Sequence, residues 1–271
     1  MFRKRCFALL LIVAALSAMG PWPAVGAEMP IEQAWKALPK YEHGQDMAAL
    51  LAIDRAVIEA MAAPDKRSAC AARLAALLEA DGTTPAARQY VCLELRQVGT
   101  PAEVPVLKRL LAKPETSEMA RYALEAIPGD ESLAALRGGL ATLKGKTLVG
   151  VVNSLAARKD AGSVEALKGL ADSEDKDVVR AALWALGNFA GEGAAEFLCV
   201  RAEKAGTATP QSLAVPLMRC ADALAGGGKK EEAKAVYEAI LENGPLDTVR
   251  LRREARMSAE SAKSRFDRAL V

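Results

Sequence analysis

The sequence predicts an all-α solenoid of stacked antiparallel helix pairs. Residues 146–199 hold two copies of one unit, a helix, a short polar turn and a second helix, and the unit can be followed upstream to about Thr84. Two leucine ladders share one period. Leu107, Leu136, Leu167 and Leu198 take the same place in the second helices, at spacings of 29, 31 and 31 residues. Leu95, Leu124, Leu155 and Leu186 repeat those spacings in the first helices. Two independent ladders with one period are hard to obtain by chance. Ala and Leu dominate a composition that is 51% hydrophobic and only 4% aromatic, and no alternating Val/Ile/Thr run reads as a strand. A helix pair of about 30 residues cannot bury its apolar face alone, whereas stacked pairs share one continuous core.

In chain order, the first element is an address. Arg3-Lys4-Arg5 is a basic start, Cys6 to Met19 is almost wholly apolar, Pro21 and Pro23 break any helix, and Val25-Gly26-Ala27 supplies small residues for a peptidase. This reads as a secretory signal, residues 1–27, cleaved after Ala27. The rival is an uncleaved anchor, but the apolar run is shorter than the ~20 residues that span a bilayer. Cys6 lies too early for lipoprotein acylation. The expected location is therefore periplasmic or secreted, with no stable membrane insertion after cleavage.

Residues 28–83 form an N-terminal cap. A short helix around Trp35 with Leu38 covers the open end of the core, and His43 sits in a solvated turn beside Gly44. Gln45 to Ala62 is a helix with Leu50, Ile53, Val57 and Met61 on one stripe. Pro64 starts the next, carrying Ala69, Leu74 and Leu78 inward as far as the Asp81-Gly82 stop. Thr84-Pro85 is a cap followed by proline at the first helical position, a good start signal. The repeats run over 84–205, with turns at Gly99-Thr100, Gly129-Asp130, Asp160-Ala161-Gly162 and Gly191-Glu192-Gly193. Residues 206–243 form a hairpin around Gly226-Gly227-Gly228 that continues the solenoid. The end, 244–271, is a basic helix or tail with no apolar stripe. It is a solvated or frayed terminal helix, a binder of an acidic partner or anionic lipid, or a product of truncation or frameshift.

The segment Asp177-Val178-Val179-Arg180-Ala181-Ala182-Leu183-Trp184-Ala185-Leu186-Gly187 resembles the first helix of a HEAT repeat. Residues 119–127 and, more weakly, 86–93 match it as well, so the resemblance covers roughly 84–205. It is closest to the short bacterial form of the repeat. It implies a right-handed, curved superhelix that presents a surface to partners, with the second helices lining the concave face. ADALAGGGKKEEAKAVYEAIL, in 206–243, resembles one tetratricopeptide-type hairpin. The resemblances identify a fold and not a task.

Net charge is +2 overall, but the signal region and the tail each contribute +3, which leaves residues 28–243 near −4. That is no footprint for nucleic acid. With one histidine no HExxH arrangement exists, and there is no paired CxxC, GxSxG elbow or P-loop. The His-Glu pairs that hold iron in HEAT-repeat oxygenases are absent. The bilin-lyase branch of short HEAT proteins is a conceivable relative, but nothing specifies a tetrapyrrole. The sequence thus predicts no enzyme, no cofactor and no metal.

Two residue sets are candidate sites. One position after each second-helix leucine come Lys108, Arg137 and Lys168, then Cys199. Equivalent positions stack at roughly 10 Å per layer, so the three cations form either a basic ladder for a partner's acidic side chains or ordinary solvated charge. The cysteines left after export are Cys70, Cys92, Cys199 and Cys220. Cys70 and Cys92 flank Gly82 at similar heights of a hairpin, and Cys199 and Cys220 flank the break at 207–210 in the same way. The pairs 70–92 and 199–220 are candidate disulfides in an oxidising compartment, against the plainer reading of four small core residues.

The expected function is an exported scaffold that binds a protein partner without catalysis. The alternatives are an assembly subunit of an envelope complex, marked by a large apolar patch on an end repeat, and a small-ligand carrier or lyase-like protein, marked by a deep cleft of converging polar groups.

Overall fold

The structure, a computed structural model, describes residues 29–189, 191–206 and 211–243. The expected signal peptide and the basic tail lie outside the described residues. Among those described there are thirteen α-helices and no strand. The fold is an all-α solenoid.

The cap consists of α1 (Ile31–Ala37), which runs into a 3-10 turn at Leu38–Lys40, then α2 (Ala48–Met61) and α3 (Pro64–Leu78). Five helix pairs follow: α4 (Pro85–Val98) with α5 (Val104–Leu111), α6 (Ser117–Ala126) with α7 (Asp130–Thr142), α8 (Gly145–Ala157) with α9 (Val164–Leu170), α10 (Lys176–Leu186) with α11 (Glu192–Ala205), and α12 (Gln211–Gly226) with α13 (Lys230–Asn243). Local chemistry sets the starts. The Thr84 hydroxyl accepts from Ala87 N at 3.1 Å, satisfying an amide that the first turn leaves open. Thr100 and Glu103 form a capping box that opens a 3-10 turn, Pro101–Glu103, ahead of α5. The Asp175 carboxylate accepts from the amides of Asp177 and Val178 at the start of α10.

All eight ladder leucines are 0% exposed. Each such burial contributes about 1.5–3 kcal/mol, and the regular spacing lets one core run the length of the stack. First helices pack side by side throughout, α2 on α4, α4 on α6, α6 on α8, α8 on α10 and α10 on α12. The second helices meet less extensively, and α5, α7, α9 and α11 each lie more against the first helix of the following unit than against their own. From α4 to α12 the closer hairpins are therefore joined by the connection between units, whereas in the last unit α12 and α13 pack closely across the turn that divides it. α12 and α13 extend both layers by packing on α10 and α11.

Two inward assignments differ from expectation. Met61 is 53% exposed, because it lies at the edge of the Leu50-Ile53-Val57 stripe in the last turn of α2. Ala69 is exposed and Ala71 buried in its place, beside Leu74 and Leu78. Trp35 and Leu38 are buried, and His43 is exposed.

Polar groups stitch the seams. Arg67 donates to the carbonyls of Val98 and Gly99 at 3.0 and 3.1 Å, and Arg88 donates to Leu78 O at 3.0 Å. Arg158 reaches the end of α6, donating to Ile127 O at 2.8 Å and Glu125 O at 3.1 Å. Arg201 donates to Ala171 O at 2.8 Å. Each satisfies carbonyls that a helix end leaves without partners. At the cap junction the Tyr90 hydroxyl, on α4, donates to Asp54 of α2 and also lies 2.9 Å from Leu50 O. Beside it Glu94 is buried and accepts from Gln97 Nε2 at 3.0 Å. Burial, with the Asp54 carboxylate adding to it, pushes the Glu94 carboxyl up to about 7.

Candidate functional site

The three cations of the second-helix ladder do not act alike. Arg137 holds Asp160 through two hydrogen bonds, Nε to Oδ2 at 2.8 Å and Nη2 to Oδ1 at 2.7 Å, and the Asp160 carboxylate is 4% exposed. That half-buried two-pronged pair ties α7 to the turn after α8 and engages the guanidinium in the fold. Lys168 pairs with Glu165 one turn back at 2.7 Å. It also lines a shallow groove with Phe197, Val200 and Arg201. Lys108 is exposed.

The four cysteines among the described residues are thiols, and neither the 70–92 nor the 199–220 bridge is formed in the structure. Cys92 and Cys220 are buried, while Cys70 and Cys199 are half-buried. Cys220 Sγ donates to Phe189 O at 3.5 Å. Burial pushes the thiols of Cys92 and Cys220 up to about 12 and that of Cys199 to about 11. They are thus held protonated and unreactive at neutral pH.

The surface that stands out lies on the other layer. Two residues before each first-helix leucine come Leu93, Tyr122, Asn153 and Trp184, and all four are exposed. Tyr122 is 37% and Trp184 41% exposed, unusual for large rings in a chain with few aromatics. Both rings carry a guanidinium. Arg96 of α4 lies 3.7 Å from the Tyr122 centroid, and Arg219 of α12 lies 4.1 Å from that of Trp184. Such stacking fixes the planar cation over the ring. Between α8 and α10, Lys146, Val149, Asn153, Arg180, Ala181 and Trp184 line an open groove of about 690 Å³. Gly150 beside it leaves room for Arg121, whose Cδ lies 3.0 Å from where a Cβ would stand. Arg121 in turn donates to Glu118, Glu125 and Ser154, so α6 and α8 are locked behind the exposed row.

A second apolar surface lies on α2. Met47, just ahead of the helix, and Leu51, Ile58 and Met61 are each at least half exposed and share one side of it. The 100° turn per residue brings the four within a narrow stripe.

Among the described residues no group of His, Cys, Asp and Glu could hold a metal ion, and no helix is long and apolar enough to cross a membrane. The first-helix row offers rings and alkyl surface for burial, a carboxamide that both donates and accepts, and two fixed cations. Its signal was present in the sequence: the period that aligns the leucines also aligns the positions two residues before them.

A family model described as HEAT repeats matches residues 144–214, which span α8 to α11 and the first residues of α12. No curated protein matches the sequence. The chain is similar to the complex of CpcE and CpcF of phycocyanin lyase from Nostoc sp. PCC7120, with 18% identity and a TM-score of 0.41 over 90% of this chain and 99% of that one. It is similar to an engineered protein with 19% identity and a TM-score of 0.46, covering 86% of this chain and 67% of the other. A designed armadillo repeat protein in complex with the peptide (KR)4 is similar at 14% identity, with a TM-score of 0.38 and coverage of 86% and 98%. The class defined by the fold is a helical-repeat α-solenoid. Its repeats are HEAT-like where the family match falls.

Proposed function

We propose that the chain is an exported scaffold, without catalysis of its own, that docks a partner protein along its first helices. The observation that carries this is the exposed row Leu93, Tyr122, Asn153 and Trp184, on a layer whose inward face is otherwise fully packed. Exposed rings at the centre of a surface are typical energetic anchors of protein interfaces. Export rests on the basic, apolar and small-residue pattern of 1–27. The test is crosslinked affinity capture from a bacterial envelope extract with residues 28–271 as bait. One dominant partner, lost on combined Tyr122→Ala and Trp184→Ala substitution, is expected. A partner retained by that variant places docking elsewhere.

A second reading, a self-assembling subunit, is favoured by the α2 stripe. Its four apolar residues are spaced symmetrically about the middle of the helix. An antiparallel second copy would therefore set Leu51 against Ile58 and Met47 against Met61, as a two-fold contact requires. Sedimentation over a concentration series decides it: a dimer abolished by Ile58→Glu supports assembly, and a monomer throughout removes it.

A further inference from the structure

Most arginines among the described residues are committed to the fold. Arg67, Arg88 and Arg158 hold helix-end carbonyls. Arg73, Arg109, Arg137 and Arg201 each hold a carboxylate from another helix or turn, and Arg121 and Arg180 hold one from their own helix. The two cations stacked on the exposed rings differ. Among the described residues no carboxylate pairs with Arg96, and its buried Nε has no hydrogen-bond partner in the protein. Among the described residues the hydrogen-bond acceptor of Arg219 is the neutral Asn188 carboxamide, and no carboxylate pairs with it. The other two ring-stacked arginines, Arg73 on Trp35 and Arg201 on Phe197, each bind an acid as well. Uncompensated charge is thus found at the two aromatic positions of the first-helix row.

We propose that this face takes an extended acidic segment of a partner protein, with carboxylates seated on the guanidinium groups of Arg96 and Arg219. The inference rests on the reading of the first-helix row as the docking surface and names the chemistry of its occupant. A guanidinium held flat by a ring presents its remaining N–H groups edgewise, the geometry that a carboxylate accepts through two bonds. The cations lie over rings of α6 and α10, two layers apart. At roughly 10 Å per layer and about 3.3 Å per extended residue, two acids some six residues apart meet both. A uniform polyanion such as single-stranded nucleic acid fits less well. The body of the chain is net negative, and Glu118, Asp175 and Asp177 lie along the same helices, so attraction is confined to two points.

The test uses residues 28–271 on an array of acidic, neutral and basic peptides of about twelve residues, with a single-stranded oligonucleotide as a polyanion probe. The expected retained set is enriched in peptides with two acids about six residues apart. Arg96→Gln with Arg219→Gln should weaken their binding about tenfold or more. Arg109→Gln, which opens only the pair with Glu79 on the second-helix side, should leave it unchanged. Circular dichroism of each variant separates lost docking from lost folding. Retention indifferent to acid content, binding undiminished in the double variant, or equally tight oligonucleotide binding overturns the proposal. Neutral peptides retained by the parent and released by Tyr122→Ala with Trp184→Ala would sink the acidic partner while keeping the docking surface. If no peptide of any charge is retained, both fall.

Discussion

Arg158 carries more of the seam between its two units than any leucine could signal. Its guanidinium gathers the carbonyls at the end of α6 and also lies 3.3 Å from Ser132 Oγ. Arg158→Ala leaves those carbonyls in a partly buried seam without donors. Bonds from a charged donor contribute about 1.5–3 kcal/mol, so a loss of that size is expected in urea unfolding. Glu94 makes a pH prediction. Its carboxyl is raised from 4.5 to about 7 in the fold, so the folded state binds a proton that the unfolded state releases between those values. Stability is then full below pH 4.5 and declines as pH rises towards 7, where the charged form must sit in the cap junction beside Asp54. The total is on the order of 3 kcal/mol. Glu94→Gln should flatten that window, measured as urea midpoints between pH 5 and 8. A parent midpoint independent of pH there would refute the assignment. Residue-level facts of this kind are hard to read in sequence. Arg137 looked like a free rung because its partner, Asp160, lies 23 residues on and returns only through the packing of α7, α8 and the turn after them.

At the level of elements, helix ends decide how closely neighbours approach. Gly187 closes α10 against α12, and a Cβ there would stand 2.6 Å from Pro216 O and 2.7 Å from its Cα. Backbone cannot yield as a side-chain tip does. Gly187→Ala should therefore cost about 1–3 kcal/mol, seen as a lower melting temperature with little change in helical signal. The helices and their inner faces were legible because apolar periodicity reports burial directly: Leu95, Leu124, Leu155 and Leu186 are all at 0% exposure. The 3-10 turns at Pro101–Glu103 and Ala161–Ser163 were not, since they read as parts of polar turns. Nor was the preference of α5, α7, α9 and α11 for the following first helix. The turn residues mark where the chain reverses, and side-chain volume in the seams decides which reversal packs tighter. Met61 escaped for a related reason, because periodicity says which side of α2 a residue is on and not whether a neighbour reaches that turn.

For the molecule as a whole, the cap is part of the array's stability. α2 and α3 cover α4, and Tyr90 and Glu94 of α4 point into that junction. Deleting residues 29–83 uncovers buried apolar and carboxyl groups together, and a shortened chain that melts lower and associates is expected from calorimetry and light scattering. A deletion variant as stable and monodisperse as the parent would show the cap to be an independent appendage. The stack as a whole was legible in the sequence, whereas its candidate surface was legible only as an alignment: the leucine period lines up Tyr122 and Trp184, but not the arginines of α4 and α12 that stack on their rings. The arginine bonds that cross the seams have a mechanical consequence. A load applied to the two ends of a layered stack falls on its seams, and short directional bonds resist separation over a fraction of an ångström before they let go. The molecule should therefore extend in discrete steps, one seam at a time, as a ratcheted spring does, with force peaks recurring at increments of about 30 residues.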